Sequence, residues 1–435
     1  MNPSTTPATP PTLAAFVGLD WGDEQHLVAL RAATATTWQI QALAHTPEAL
    51  HGWATALRQQ FGGRPVGVCV EQSRGPLVYA LSAFPWLVLY PINPKTLARY
   101  REAVYPSGAK SDPGDAQLAG EYLRHHQAQM RPWLADDAPT RHLRYLVEQR
   151  ERLVDQRTAF VNQLQAALKL YFPQAVDWLA DLTKPTAWDF LLRWPTLAQA
   201  QKAQKQTLLN FFYAHHVRRG DQIGALHTQI AAATALHADE PIIASTVLLV
   251  QALCRQLRIL ASAIRAHDRH IATRYAAHPD RGIYQRLPGA GPVLEPRLLA
   301  ALGSQRERFA DAQDLQSLSG IAPVTVRSGQ SVVVRFRWAA PVFLRQSFHE
   351  WAALTRFWSA WARAFYEEKK ARGFTHHAAV RALAYKWQRI LYRCWQERQP
   401  YDEARYLAAL RRHGSWLAAR VDQARTGHQP SEQPA

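Results

Sequence analysis

Four carboxylates and two serines hold most of the chemistry this sequence is able to do. Asp20, in VGLDWG, stands near the end of a first predicted strand, Glu71, in VCVEQS, ends a fourth, and Asp112 and Asp115 lie together in KSDPGDA. Carboxylate oxygens suit a hard cation such as Mg²⁺. Two such ions about 3.5–4 Å apart activate an attacking oxygen and stabilise a leaving one in phosphodiester chemistry. Asp112 and Asp115 are three residues apart and share a face if they are helical. Each acid also has a plainer reading. Asp112 can cap a helix, with Pro113 at its first position and Asp115 closing a capping box. Asp20 can be a turn residue. Glu71 directly follows the apolar run VGVCV, which points to solvent or to a shared site.

The serines lie in GIAPVTVRSGQSVVVRFRW, residues 320–338. Ser328 precedes Gly329, and Arg327, Arg335 and Arg337 are close in sequence. A serine hydroxyl needs a base or a metal to become a nucleophile, and arginines clamp a phosphate and its transition-state charge. No His–Asp pair at protease-like spacing accompanies Ser328, and there is no nucleophile elbow. The plain alternative is a Ser-Gly turn before the strand VVVRF, and the residues alone do not exclude Ser331. A further segment, LPGAGPVLEPRLLAALG at 287–303, is similar to a helix-hairpin-helix element. There Gly289 and Gly291 would leave backbone N–H groups free, and the next helix would offer its N-terminus to a DNA phosphate. A simple turn between helices is the alternative.

These residues need a frame. AAFVGLD, HLVALRA and TWQIQALAH read as three neighbouring strands in an antiparallel meander. Thr46 then opens a helix with Glu48 in its first turn. PVGVCVE is a fourth strand, GPLVYALSAF a helix and WLVLYPIN a fifth strand, the order of an RNase H-like sheet. Between Ala138 and about His278 the chain reads as mostly helical. Leu143, Leu146, Val147, Leu153, Val154, Val161, Leu164, Ala167 and Leu168 largely keep helical spacing, and residues 222–275 repeat the style after an irregular Trp-containing insert. Two long amphipathic helices suggest a helical hairpin or coiled-coil arm. From Arg281 the chain passes through a Gly/Pro-rich centre into helices dense in Trp and Arg. Most of those Trp keep core spacing, and one or two are candidates to stack on unpaired bases.

The expected division is a disordered tail at 1–13, an α/β domain at 14–135, a helical linker at 136–280, a mostly helical domain at 281–415 and a disordered tail at 416–435. The 435 residues hold 51 Lys plus Arg against 34 Asp plus Glu, a net charge of +17. Such an excess favours a polyanion, nucleic acid first. A membrane surface is the rival, but no segment is expected to supply the roughly 18 consecutive apolar residues of a spanning helix. The N-terminus lacks a secretion pattern. Cys69, Cys254 and Cys394 are too scattered for a disulfide framework or a zinc site, which fits a reducing cytosol.

In joint order and spacing these motifs resemble the insertion sequence 110 family of transposases, the DEDD-type enzymes with a catalytic serine. The resemblance runs from about Phe16 to about Trp395. Its markers are the Asp of VGLDWG, the Glu of VEQS, the pair in KSDPGDA, LPGAGP, GIAPVTVRSGQS and RWAAPVFLRQSFHEWA. It implies an α/β plus all-α chain with a RuvC-like N-terminal domain, a helical coiled-coil linker that joins protomers, and a C-terminal transposase domain. It implies that Asp20, Glu71, Asp112 and Asp115 hold one or two Mg²⁺ ions. It further implies that Ser328 attacks DNA to form a phosphoserine link, in a composite site within one subunit or between two. Family members look like RNA-guided recombinases in which a structured RNA pairs with donor and target DNA. A cytoplasmic, nucleoid-associated bacterial homodimer or homotetramer, with no membrane partner, is the corresponding expectation. Many relatives carry two serines before the glycine and a Lys-Gly pair after it. Here Arg327 precedes Ser328 and VRFRWAAP follows, so Ser331 stays open. Two rivals remain: a metal-only nuclease such as a junction resolvase, in which water attacks, and a nucleic-acid-binding protein without catalysis. The long C-terminal unit argues against the first and the four intact acids against the second.

Overall fold

Alternation along the first strand decides the layout of the N-terminal unit. In β1 (Ala15–Asp20), Ala15, Val17 and Leu19 enter one core, while Phe16 packs on the other face of the sheet. The computed structural model describes residues 11–71, 75–105, 112–338 and 340–426. Antiparallel β2 (Gln25–Ala32) and β3 (Gln39–Ala44) complete the meander, and α1 (Pro47–Gln60) follows, capped by the Thr46 side chain on Ala49 N–H. Next come β4 (Val66–Val70), α2 (Pro76–Leu81) and β5 (Leu87–Pro91), with β4 parallel to both β1 and β5. The elements follow the expected succession of three strands and then alternating helix and strand, and the sheet order is β3-β2-β1-β4-β5. The helix α3 (Pro94–Val104), which the sequence reading did not mark, leads to α4 (Asp112–His126).

Leu50, Trp53 and Leu57 of α1 and Leu77, Val78 and Leu81 of α2 cover the face carrying Val17, Leu19, Val66, Val68 and Val70. Leu118, Ala119 and Leu123 of α4 cover the opposite face with Cys69, Tyr90 and Leu97. This second contact is unusually close. A Cβ on Gly18 would lie 1.8 Å from the Ala116 carbonyl oxygen, and one on Gly120 would lie 3.1 Å from Gly18 N and 2.4 Å from the Trp38 ring. Only paired glycines let helix and strand backbones approach this way.

The chain divides after Ala135 into a second compact unit. It begins with α5 (Ala138–Tyr171), continues through α6 (Gln174–Trp178), α7 (Pro185–Arg193), α8 (Leu197–Gln201), α9 (Lys205–Ala214) and α10 (Gly220–Ala232), and returns along α11 (Glu240–Ala276). The segment expected to be irregular is thus helical. Its Trp188, Phe190 and Phe212 build a core with Leu164 and Leu168 of α5 and Val250 and Leu257 of α11. At the opposite end Leu143 and Val147 of α5 meet Ile271 and Tyr275 of α11, so the pair is antiparallel. Arg150 reaches Asp268 at 2.5 Å, and Thr140 shares a hydrogen bond with His278 at 2.9 Å. Contrary to expectation, α11 is long and apolar enough by composition to cross a membrane. Its Val250, Leu253, Cys254 and Leu257 form the buried seam of a packed arm, while Leu248, Leu249 and Ile259 on the same helix are exposed.

The remaining elements are α12 (Arg281–Tyr284), α13 (Gly291–Leu302), α14 (Ala312–Leu318), β6 (Val324–Ser328), β7 (Ser331–Arg335), α15 (Val342–Trp358), α16 (Ala360–Ala371), α17 (His376–Glu397), α18 (Glu403–Arg412) and α19 (Trp416–Thr426). Trp351, Trp361, Trp387 and Trp395 are fully buried at their centre, whereas Trp338 and Trp358 are exposed. The proximal ends of α5 and α11 belong to this same core, so no structural break falls at the expected boundary of 280. Two tail assignments are corrected at their inner ends. Leu13 is buried, and 416–426 form a helix because Leu417 and Val421 have core to fill. Residues 1–10 and 427–435 lie outside the described residues.

Arg297 of α13 is buried and tied to Glu350 at 2.5 Å, Glu151 at 3.4 Å and Ser347 Oγ at 3.0 Å, joining α5, α13 and α15. Arg297→Ala takes the ion-pair partner from half-exposed Glu350 and the donor from Ser347 Oγ, while Glu151 keeps Arg150 at 3.0 Å, and is expected to lower unfolding free energy by about 1–3 kcal/mol in a urea titration. Gly18→Ala should cost at least about 3 kcal/mol, since backbone and not a flexible side chain stands in the way.

Candidate functional site

The acids gather through strand register. Leu19 of β1 pairs with Val70 of β4 in parallel, so Asp20 and Glu71 emerge side by side at the carboxyl ends of neighbouring strands. Both alternate out of the Val17–Leu19 core onto the face that α4 covers. The direction of α4 follows from its contacts. Leu123 lies by Gly67, while Ala116 and Gly120 lie by Gly18, so the helix runs against β1 and its first turn, Asp112 and Asp115, sits toward Asp20. The helix N-terminus adds partial positive charge there. Cys69 lies beneath the site, its thiol pushed up to about 12 by burial and then by the Glu71 charge, so it stays protonated.

The backbone frame converges and the side chains do not. Among the described residues no three His, Cys, Asp or Glu side chains stand close enough to hold an ion. Asp115 is buried against Arg101 of α3, whose Nε and Nη2 reach Oδ1 at 2.8 and 2.6 Å. Asp112 is exposed in the first turn. Arg101 was not singled out in the sequence. A second group that was missed holds the turn after Asp20. Gly22 N–H donates to His26 Nδ1 at 3.2 Å, so His26 carries its proton on Nε2 and donates to His45 Nδ1 at 2.8 Å. Burial, then His45, lowers the His26 pKa.

The serine segment is a two-stranded ribbon. Ser328 and Ser331 are its last paired residues, flanking a Gly329-Gln330 turn in which Gly329 has φ +55°. That positive φ at the first turn position is the reason for the glycine. Directly paired residues share a face, so both hydroxyls project together, and both serines are exposed. The face they share also carries Val326, Val333 and Arg335, whereas Arg327 pairs with Val332 on the other face. Of the three arginines only Arg335 therefore lies on the serine side, about 13 Å along the strand from Ser331. Arg337 instead reaches the Ala322 carbonyl at 3.5 Å, at the foot of the ribbon.

The LPGAGP segment is a turn between α12 and α13. A Cβ on Gly289 (φ +70°) would lie 2.8 Å from the Trp358 ring, so close packing on α15 accounts for that glycine. A Cβ on Gly291 (φ +57°) would meet open space. The Trp351 indole N–H donates to the Pro288 carbonyl at 3.0 Å and fixes the turn to the core.

The chain is 32% identical over 417 residues to the "Mini-circle putative transposase for IS117" of Streptomyces coelicolor, covering 92% of this chain and 98% of that protein. It belongs to the IS110 family of transposases. The IS110 DEDD transposase family model matches residues 17–173, the stretch holding all four acids, and that of the IS116/IS110/IS902 transposases matches 283–367, the stretch holding both serines. The uncharacterized 42 kDa protein of insertion element IS900 from Mycobacterium paratuberculosis is 26% identical, covering 91% of this chain and 98% of its own. The uncharacterized 44.8 kDa protein of IS116 from Streptomyces clavuligerus is 26% identical, with 89% and 96% covered.

Buried imidazoles give the fold an acid limit. His26 and His278 are lowered from their ordinary value, chiefly by burial, and His349 is lowered to about 4 by burial and then by His377, Arg381 and His376. Below about pH 6.5 the unfolded chain takes up protons that the native state refuses, so stability falls with pH down to about 4. Thermal unfolding followed from pH 7 to pH 4 should show a steady drop, and His349→Gln should flatten it.

Proposed function

We propose that this chain is a DNA recombinase in which Asp20, Glu71, Asp112 and Asp115 hold one or two Mg²⁺ ions and Ser328 is the nucleophile. The observation that carries the reading is the register that sets Asp20 beside Glu71 at the end of the sheet where α4 begins. The donor set fits the metal, since carboxylate oxygens without nitrogen or sulfur ligands suit Mg²⁺. Arg101 neutralises Asp115 in this state, and ligation requires that carboxylate to let go of it. Bound there, Mg²⁺ would lower the pKa of an attacking hydroxyl and stabilise the departing oxygen.

Ser328 Oγ attacks phosphorus, forming a P–Oγ bond while one bridging P–O bond of the strand breaks. The serine gives up its hydroxyl proton, and the departing strand oxygen takes one, so the proton count is unchanged. Attack by a strand hydroxyl on the phosphoserine then restores a phosphodiester and frees the serine. Arg335 on the serine face, with Arg327, Arg337 and the turn at Gly289 and Gly291, holds the backbones of donor and target DNA. A structured guide RNA supplies sequence choice through base pairing, and the protein works as a homodimer or homotetramer. The net charge of +17 supports contact with several nucleic-acid backbones.

A trapping assay tests this. The protein is incubated with Mg²⁺, the element's RNA and end-labelled DNA carrying the element junction, then denatured and separated. Protein-linked label is expected, and it should vanish in both Ser328→Ala and Asp20→Ala. Label that persists in Ser328→Ala but not in Ser331→Ala would move the nucleophile across the turn. Free cleaved DNA surviving both serine variants would mean that water attacks, and would sink the phosphoserine reading. Arg101→Gln should unfold at lower temperature without metal and recover as Mg²⁺ is added, because the ion then supplies the counter-charge that Arg101 gave Asp115.

A further inference from the structure

A cleft of about 370 Å³ opens at the foot of the serine ribbon, lined by Phe336, Val342, Arg345, Gln346, His349, Glu350 and Arg381. Phe336 directly follows β7, while Arg345 and His349 come from α15 and Arg381 from α17. Two guanidinium groups share one aromatic ring here. Arg345 Cζ lies 4.9 Å and Arg381 Cζ 5.5 Å from the Phe336 centroid. Among the described residues no carboxylate pairs with either arginine, and the buried Arg345 Nη1 has no hydrogen-bond partner. A buried N–H of a cation left without an acceptor is costly, and an anion entering the cleft would remove that cost. Glu350, the acid of the lining, is already held by Arg297 at 2.5 Å. The His349 imidazole stays uncharged near neutral pH, so it is free to donate to or accept from a ligand.

We propose that this cleft is a backbone-phosphate subsite, in which Arg345 and Arg381 clamp one phosphodiester of a nucleic-acid strand running along the ribbon toward Ser328 and Ser331. The inference rests on the nucleic-acid reading above and adds residues that reading does not use. A nucleotide fits better than a free anion, because Trp338 stands 4.8 Å edge-on from Phe336 and is 77% exposed, a platform for the base beside the held phosphate. The ribbon sets a distance. From Ser331 to Phe336 is about 16 Å of strand, about five steps of a B-form strand. The clamped phosphate therefore lies several nucleotides from the one that reaches the ribbon's tip. Such a contact positions the strand without reading its sequence.

The test is the salt dependence of binding by the full-length protein to a labelled DNA duplex carrying the element junction and, separately, to the element's RNA. Arg345→Gln and Arg381→Gln lie on different helices, so one folded variant suffices, and thermal unfolding confirms which are folded. Loss of one phosphate contact should lower the slope of log K against log salt by about 0.9 on duplex DNA. The loss of affinity should be alike for junction and scrambled DNA. A reduced slope on DNA supports the cleft as a DNA-strand clamp, and a reduced slope on RNA alone supports the same clamp with RNA as its strand. A parent that binds both with steep salt dependence, together with folded variants of unchanged slope, overturns the clamp and leaves the nucleic-acid reading standing. A parent with no salt-dependent binding to either overturns both.

Discussion

The contact on which the N-terminal unit turns is the close approach of two glycines, Gly18 in β1 and Gly120 in α4. With no Cβ at either position, helix backbone rests on strand backbone, and the Ala116 carbonyl occupies the space that a side chain on Gly18 would take. This contact fixes more than packing. It sets the tilt and direction of α4, and so brings the first turn of that helix toward the strand end where Asp20 and Glu71 emerge. Glu121 locks the rotation. It accepts from the Trp38 indole at 2.6 Å and from Arg124 Nε at 3.0 Å and pairs with Arg31 at 3.4 Å, and these partners hold its carboxyl below the usual range against the opposing effect of burial. The acids thus depend on a constraint one helical turn away from them.

The second unit solves a different problem. A two-stranded ribbon has little stability by itself, and β6 and β7 expose Val326, Val332, Val333 and Val334. Its foot is anchored instead. Gly320, with φ +71°, lets the chain turn tightly against Ala340 and Arg337. Arg345 and Arg381 flank Phe336 where the ribbon ends. Beneath this lies a core of four buried Trp whose indole N–H groups are all satisfied. Trp387 donates to Thr355, Trp361 to Tyr401, Trp395 to the Gly303 carbonyl and Trp351 to that of Pro288. A rigid base with an exposed, serine-tipped ribbon suits the proposed role of a nucleophile that reaches a large substrate.

Much of this was legible in the sequence, and the reasons are specific. VGLDWG and VGVCVE carry their acids directly after an apolar run, so the five strands could be read along the chain from their apolar runs. The Ser-Gly turn was visible as turn chemistry, but a choice between Ser328 and Ser331 was not, because paired strand residues share a face and the two hydroxyls are equivalent by position. Arg101 was not legible, since its partner Asp115 is 14 residues away across a helix boundary. The helices between Gln174 and Ala214 were hidden by their shortness, which leaves too few turns for a period to appear. The boundary expected at 280 failed because a long helix belongs to two cores at once, and periodicity shows that a face is buried without showing in which core.

The central claim is that four carboxylates on the frame of β1, β4 and α4 form one metal site. Anomalous diffraction from crystals of the protein bound to DNA and soaked with Mn²⁺ tests it directly. The account predicts a peak, or two peaks about 3.5–4 Å apart, among Asp20, Glu71, Asp112 and Asp115, with Arg101 withdrawn from Asp115. A well-ordered, DNA-bound structure with no peak there, and with the Arg101–Asp115 pair intact, would contradict it.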